Sequence, residues 1–129
     1  MKFEPSPNAF TIPVRVYYAN YLKFFERCRT EWMRSAGHDQ RQLALDAGIG
    51  FVARKANCEY LRPAHLDDLL TVGLEVEKLT RVRVIFRQHV RRGDDELVTG
   101  TVEIACVDMA TMKPAPIPDF LYSKLEALK

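Results

Sequence analysis

From Phe10 to Tyr18 the chain alternates, with Phe10, Ile12, Val14, Val16 and Tyr18 on one face and Thr11, Pro13 and Arg15 on the other. That period of two predicts a strand. From Asn20 the spacing changes. Tyr21, Leu22, Phe24, Phe25, Cys28, Trp32, Met33 and Ala36 cover about half of a helical wheel, and Gly37 is a natural stop. A helix from Tyr21 to Ala36 would be about 24 Å long. Its apolar surface is broad enough to need a wide cover such as a sheet. Gln40 to Ala47 predicts a short second helix ended by Gly48.

Beyond Gly48 the period returns to two. Strands are predicted over Phe51–Leu61 (stopped by Pro63), Leu70–Leu79, Val82–Arg92 and Leu97–Val107, with a hairpin turn at Gly93-Asp94-Asp95. Pro114 to Pro118 leads into a terminal helix, Asp119–Leu128. One strand, one dominant helix and four consecutive strands with short turns favour an antiparallel meander to which the first strand is added. The simplest way to bury both is an α+β hotdog fold, a curved antiparallel five-stranded sheet wrapped around one long central helix. The 129 residues fit a single domain, 1–129.

Composition narrows the classes. With 47% apolar and 28% charged residues the chain is an ordinary globular protein, and its net charge of +2 does not suggest a nucleic-acid binder. Arg81, Arg83, Arg87, Arg91 and Arg92 make one strand basic, but neighbouring acids balance it. No apolar run is long enough to span a membrane and the first seven residues do not read as a signal peptide, so the expected address is the cytoplasm. Cys28, Cys58 and Cys106 are odd in number, widely spaced and set among apolar neighbours, which predicts buried inert thiols rather than disulfides or a metal site. His38, His65 and His89 show neither metal-ligand spacing nor a nucleophile motif. No metal or cofactor is expected.

Several motifs carry a family resemblance. Val14-Arg15-Val16-Tyr17-Tyr18 and Ala19-Asn20-Tyr21-Leu22-Lys23-Phe24-Phe25-Glu26-Arg27, then Arg29-Thr30-Glu31-Trp32, Phe51-Val52-Ala53-Arg54-Lys55, Glu59-Tyr60, Pro63-Ala64, Asp67-Asp68, Cys106-Val107-Asp108 and Met112-Lys113-Pro114 span nearly the whole chain. Together they resemble the 4-hydroxybenzoyl-CoA thioesterase family, closest to its Tol-Pal-associated acyl-CoA thioesterase branch. The resemblance implies a hotdog fold and hydrolysis of acyl-CoA to a free acid and CoA. It also implies sites formed between protomers, hence a homodimer or homotetramer, and leaves room for acyl carrier protein as the donor.

The chain departs from the family at one junction. Between the strand ending at Tyr17-Tyr18 and the helix opening at Asn20, the family carries a loop with an aspartate, glycines and usually a histidine; here only Ala19 intervenes. A strand-to-helix connection usually takes about 2–6 residues, and no Gly, Pro or Asp marks this one. The expectation is that the polypeptide carries a mobile loop here that this sequence lacks.

Thioester hydrolysis needs an attacking carboxylate or activated water and donors aimed at the developing oxyanion. In the resembling family the loop aspartate supplies the first and the helix start the second. The helix start maps to the backbone of Asn20 and Tyr21, where unpaired N–H groups and the positive dipole end converge; Asn20 also suits a plain N-cap. Glu26 and Glu31 are the helix acids to weigh as substitutes. Glu26 lies at the edge of the apolar arc, and Glu31 can pair with Arg27. Both fit solvated charges better. Asp67-Asp68 and Asp94-Asp95 fit turns. By the same resemblance Arg81, Arg83 and Lys113 are candidates for the CoA phosphates, with Arg54 and Lys55 a second basic pair. Tyr18, Tyr21, Phe24 and Val52 are candidates to meet the acyl group, although each also suits the core. Two other classes remain open: a non-catalytic acyl-CoA or acyl-carrier-protein binding module, and a hydroxyacyl-thioester dehydratase, which would want a histidine beside the helix start.

Overall fold

The computed structural model describes residues 10–13, 21–37, 40–65 and 68–129. In chain order they form β1 (Phe10–Pro13), α1 (Tyr21–Ser35), α2 (Gln40–Ala47), β2 (Ile49–Tyr60), β3 (Leu69–Leu79), β4 (Arg83–Arg92), β5 (Asp95–Asp108) and α3 (Asp119–Glu126). The sheet is antiparallel, in the order β1-β3-β4-β5-β2.

This corrects the predicted meander. Only β3, β4 and β5 run as consecutive hairpin neighbours; β2 pairs with β5 and forms one edge. The reason lies in the segment after Tyr60. It is no tight turn: Leu61 and Arg62 both donate backbone N–H groups to Leu97 O, and the chain then crosses the end of the sheet to β3. The first strand is described over Phe10–Pro13, where it pairs with β3 beside the four long strands, and the rest of its predicted span, to Tyr18, lies outside the described residues. The helix is shorter than predicted, fifteen residues and about 22 Å, because Gly37 adopts φ 91° and its N–H turns back to Arg34 O. The terminal helix likewise stops at Glu126. At the hairpin, Gly93 takes φ 58° between paired Arg92 and Asp95, the positive first central angle of a type II′ turn.

α1 lies across one face of the sheet. Tyr21, Phe25, Cys28 and Trp32, spaced at four, three and four, are the buried stripe. They meet the inward side chains of alternating strands, including Val72, Leu74, Val84, Phe86, Val90, Val98 and Val102. Gly100 sits beneath the helix where a Cβ would lie 2.8 Å from the Phe25 ring and collide with Asn57 O. A glycine there lets α1 settle onto the sheet.

Candidate active site

α1 begins at Tyr21, whose ring packs on Phe24 and on Tyr60 at the end of β2, with centroids 6.0 and 5.5 Å apart. Burial pushes the Tyr21 hydroxyl above its ordinary pKa, opposed by a hydrogen bond with the backbone of Ala64. The helix start is therefore fastened to the β2–β3 crossover. That segment is fastened in turn: Asp68 accepts from His65 N–H at 2.7 Å and from Arg92 at 2.8 Å, which together hold its carboxyl below the usual range. Asp68 is thus a turn-stabilising acid paired with a cation, as its sequence context suggests, and a poor proton acceptor. The first-turn N–H groups of α1 have no acceptor within the helix and carry its positive dipole end, which makes them suitable donors to an oxyanion. Tyr18 and Asn20, with Ala19 between them, lie outside the described residues.

One polar network crosses the core. Gln88, fully buried, donates to Phe25 O at 2.9 Å and accepts from Arg29 at 2.7 Å. Burial lowers the Arg29 pKa, and nearby Glu26 counters that. Neither Arg29 nor Gln88 was singled out from the pattern, although the signal exists: Gln88 occupies the inward parity of β4, between Phe86 and Val90.

Beside this network α1, the sheet and α3 line a cavity of about 350 Å³ that is open on one side. Glu26, Arg29 and Thr30 supply its polar side, while Met33, Phe51 and Ile104 form apolar wall. Of the expected substrate-contacting residues, Phe24 is half-buried against Tyr21, and Val52 lies on the opposite face of β2 from the cavity-lining Phe51 and Ala53. Neither lines the cavity. Glu31 lies 3.3 Å from Arg34, the partner the structure gives it in place of the expected Arg27.

The candidate phosphate ligands lie at the other end of the sheet. Arg81 bonds Asp119 at 2.8 Å and covers the Tyr122 ring at 4.7 Å, and Arg83 pairs with Glu103 at 3.3 Å. Arg54, Lys55 and Lys113 are exposed and join no ion pair among the described residues; Arg54 occupies the bulge where β2 slips register against β5. Tyr60 pairs with Val98 and Phe51 with Cys106, so β2 runs roughly 30 Å from the helix-start end to Phe51, with Arg54 and Lys55 about 17–20 Å from Tyr60 along it. A single protomer does not bring the helix start and these cations together.

A family model described as the thioesterase superfamily matches residues 15–99. The chain belongs to this superfamily. The acyl-CoA thioesterase YbgC of Haemophilus influenzae is 37% identical over 133 residues, covering 95% of this chain and 98% of the relative. The acyl-CoA thioester hydrolase YbgC of Escherichia coli O6:H1 is 33% identical over 91% and 96%. A solved structure of a probable thioesterase from Bartonella henselae is 34% identical, covers 85% of this chain and 98% of its own, and superposes with a TM-score of 0.75. The fold is the hotdog thioesterase fold, an antiparallel sheet with a helix across it. The alignment with the Haemophilus relative is longer than the 129 residues of this chain, so that relative carries interior residues with no counterpart here.

The cysteines sit where burial disfavours the thiolate. Burial raises the Cys28 pKa to about 12 and that of Cys106 to about 11, and half-buried Cys58 is also raised. Among the described residues no cluster of His, Cys, Asp and Glu could hold a metal ion, and no helix is long and apolar enough to cross a membrane.

Proposed function

We propose that the chain is an acyl-CoA thioesterase. Water adds to the thioester carbonyl carbon, the carbon–sulfur bond breaks, and a carboxylic acid and the CoA thiol leave, the water's second proton passing to the sulfur. The observation that carries this reading is the pair of relatives named for that activity at 37% and 33% identity over more than nine-tenths of the chain. The helix start at Tyr21 supports it, because first-turn N–H groups can serve as oxyanion donors; Asn20, the other expected member, lies outside the described residues. The carboxylate that attacks or activates water is the one the family resemblance puts on the loop before that helix, a loop for which this sequence has only Ala19.

An assembly of two or more copies fits the same observations. β2 is a twelve-residue edge strand, and an unpaired edge is a template for another chain. Two copies joined antiparallel along β2 would set the helix start of one beside the Phe51–Lys55 end of the other. That pairing removes the separation along β2 and lets Arg54, Lys55 and Lys113 of one copy meet CoA phosphates. Arg81 and Arg83 serve as phosphate ligands only by giving up Asp119 and Glu103. Curvature of the sheet around α1 as a central helix belongs to the same picture. Acyl carrier protein is a second donor, and the branch resemblance links the enzyme to the Tol-Pal system. Three free cysteines fit a reducing compartment, the cytoplasm.

A second reading, a non-catalytic acyl-CoA binding module, is favoured by one observation: only Ala19 separates Tyr18 from Asn20, with no acid at the junction. Thiol release from acyl-CoA decides between them. Release well above the buffer rate supports the enzyme. Saturable binding without release means a binding module, and an unsaturated product from a hydroxyacyl thioester means a dehydratase.

A further inference from the structure

The cavity under α1 has an open side and a closed one. Glu26 and Thr30, both exposed, and half-buried Arg29 share one side of α1, which marks the mouth. At the far side stand Leu121 and Leu125 of α3, 0% and 2% exposed. Between them the lining is apolar, while exposed Ala53 on β2 belongs to the open side. A cavity of this shape suits an unbranched apolar chain entering with a polar head left outside.

α3 is a separate wall. It follows the proline-rich stretch from Pro114 to Pro118 and is tied down by a few named contacts. Arg81 holds its first turn through Asp119 and Tyr122. Lys124 donates to Ala36 O just beyond the end of α1, and Leu128 O accepts from Val76 N–H at 3.0 Å.

We propose that the cavity receives the acyl chain and that α3 is its end wall, so that Leu121 and Leu125 set the longest chain accepted. This deepens the thioesterase reading and rests on it for the CoA headgroup. With each methylene taking about the 30 Å³ of a liquid water, the roughly 350 Å³ holds a saturated chain of no more than about a dozen carbons. Arg81 then acts on chain length through α3.

The test uses S-alkyl-CoA thioethers of four to eighteen carbons, which lack the carbonyl and cannot be hydrolysed. Their affinities are measured by calorimetry for the wild type, Leu125→Ala and Leu125→Phe. Each added methylene tightens binding by about fourfold while it is being buried, up to a break near a dozen carbons. Leu125→Ala removes three side-chain carbons and moves the break up by about two to three; Leu125→Phe moves it down. A wild-type series that keeps tightening through eighteen carbons overturns the proposal, as does a break that stays put in variants whose circular dichroism is native. Should Leu125→Ala not fold, Leu125→Val trims one carbon and shifts the break by about one. Thiol release from the matching acyl-CoA series runs in parallel. A break without turnover overturns the enzyme reading and keeps the cavity assignment; turnover without a break does the reverse.

Discussion

Gln88→Leu isolates the polar network that locks α1 to the sheet. The substitution keeps roughly the same volume at a fully buried position but deletes two hydrogen bonds, 2.9 Å to Phe25 O and 2.7 Å from Arg29. The first joins neutral groups and contributes about 1 kcal/mol, and the second involves a cation and contributes about 1.5–3 kcal/mol. Phe25 O retains its place in the helix, whereas Arg29 loses its acceptor where burial already disfavours its charge. The net cost is about 2–4 kcal/mol, a fall in Tm of about 10 °C for a chain of this size. Urea unfolding at fixed protein concentration measures it, since assembly would otherwise move the midpoint. Arg29→Met alone strands the buried Gln88 oxygen. The double variant Arg29→Met/Gln88→Leu removes both partners, so it costs less than the sum of the singles by about 2 kcal/mol. A Gln88→Leu effect below about 0.5 kcal/mol, or strict additivity in the cycle, would refute the reasoning.

Four further outcomes are expected. Burial and then Arg91 bring the His89 pKa from 6.5 down to about 4; the unfolded chain therefore takes up its proton first, so stability is complete above pH 6.5 and falls as pH drops toward 4, by at most about 3 kcal/mol. Urea midpoints across that window should slope less in His89→Gln. Cys28 and Cys106 should resist alkylation in the native protein and react on unfolding, by mass spectrometry; rapid native labelling of either contradicts their burial. Gly100→Ala should destabilise by about 1–3 kcal/mol, because its Cβ meets Phe25 and Asn57; an unchanged Tm would mean that α1 does not rest on that point. Intact mass tests the junction before α1: a mass above 14.8 kDa by a loop's worth of residues is expected, and 14.8 kDa itself would favour the binding module.

The elements were legible because burial leaves a period. Tyr21, Phe25, Cys28 and Trp32 on α1, the bounds of α2 and the alternation of β3 all follow from one apolar face meeting one core. The motifs from Tyr21 to Trp32 and around Phe51–Lys55 likewise announced the thioesterase superfamily, since the residues themselves carry that resemblance. Strand order was not legible. Alternation says that β2 pairs, not with which neighbour, and only the crossover after Tyr60 places it beside β5. The reach of a charge was also hidden. Arg81 reads as a free cation until α3 folds back and supplies Asp119 and Tyr122 from 38 and 41 residues away. The cavity is hidden for the same reason: Met33, Phe51, Leu121 and Leu125 each look like core, and whether they fill a space or line one depends on how three elements pack. Local pattern is fixed by which residues avoid water. Pairing partner, cavity and composite site depend on distances between segments remote in sequence, and those exist only once the chain has folded.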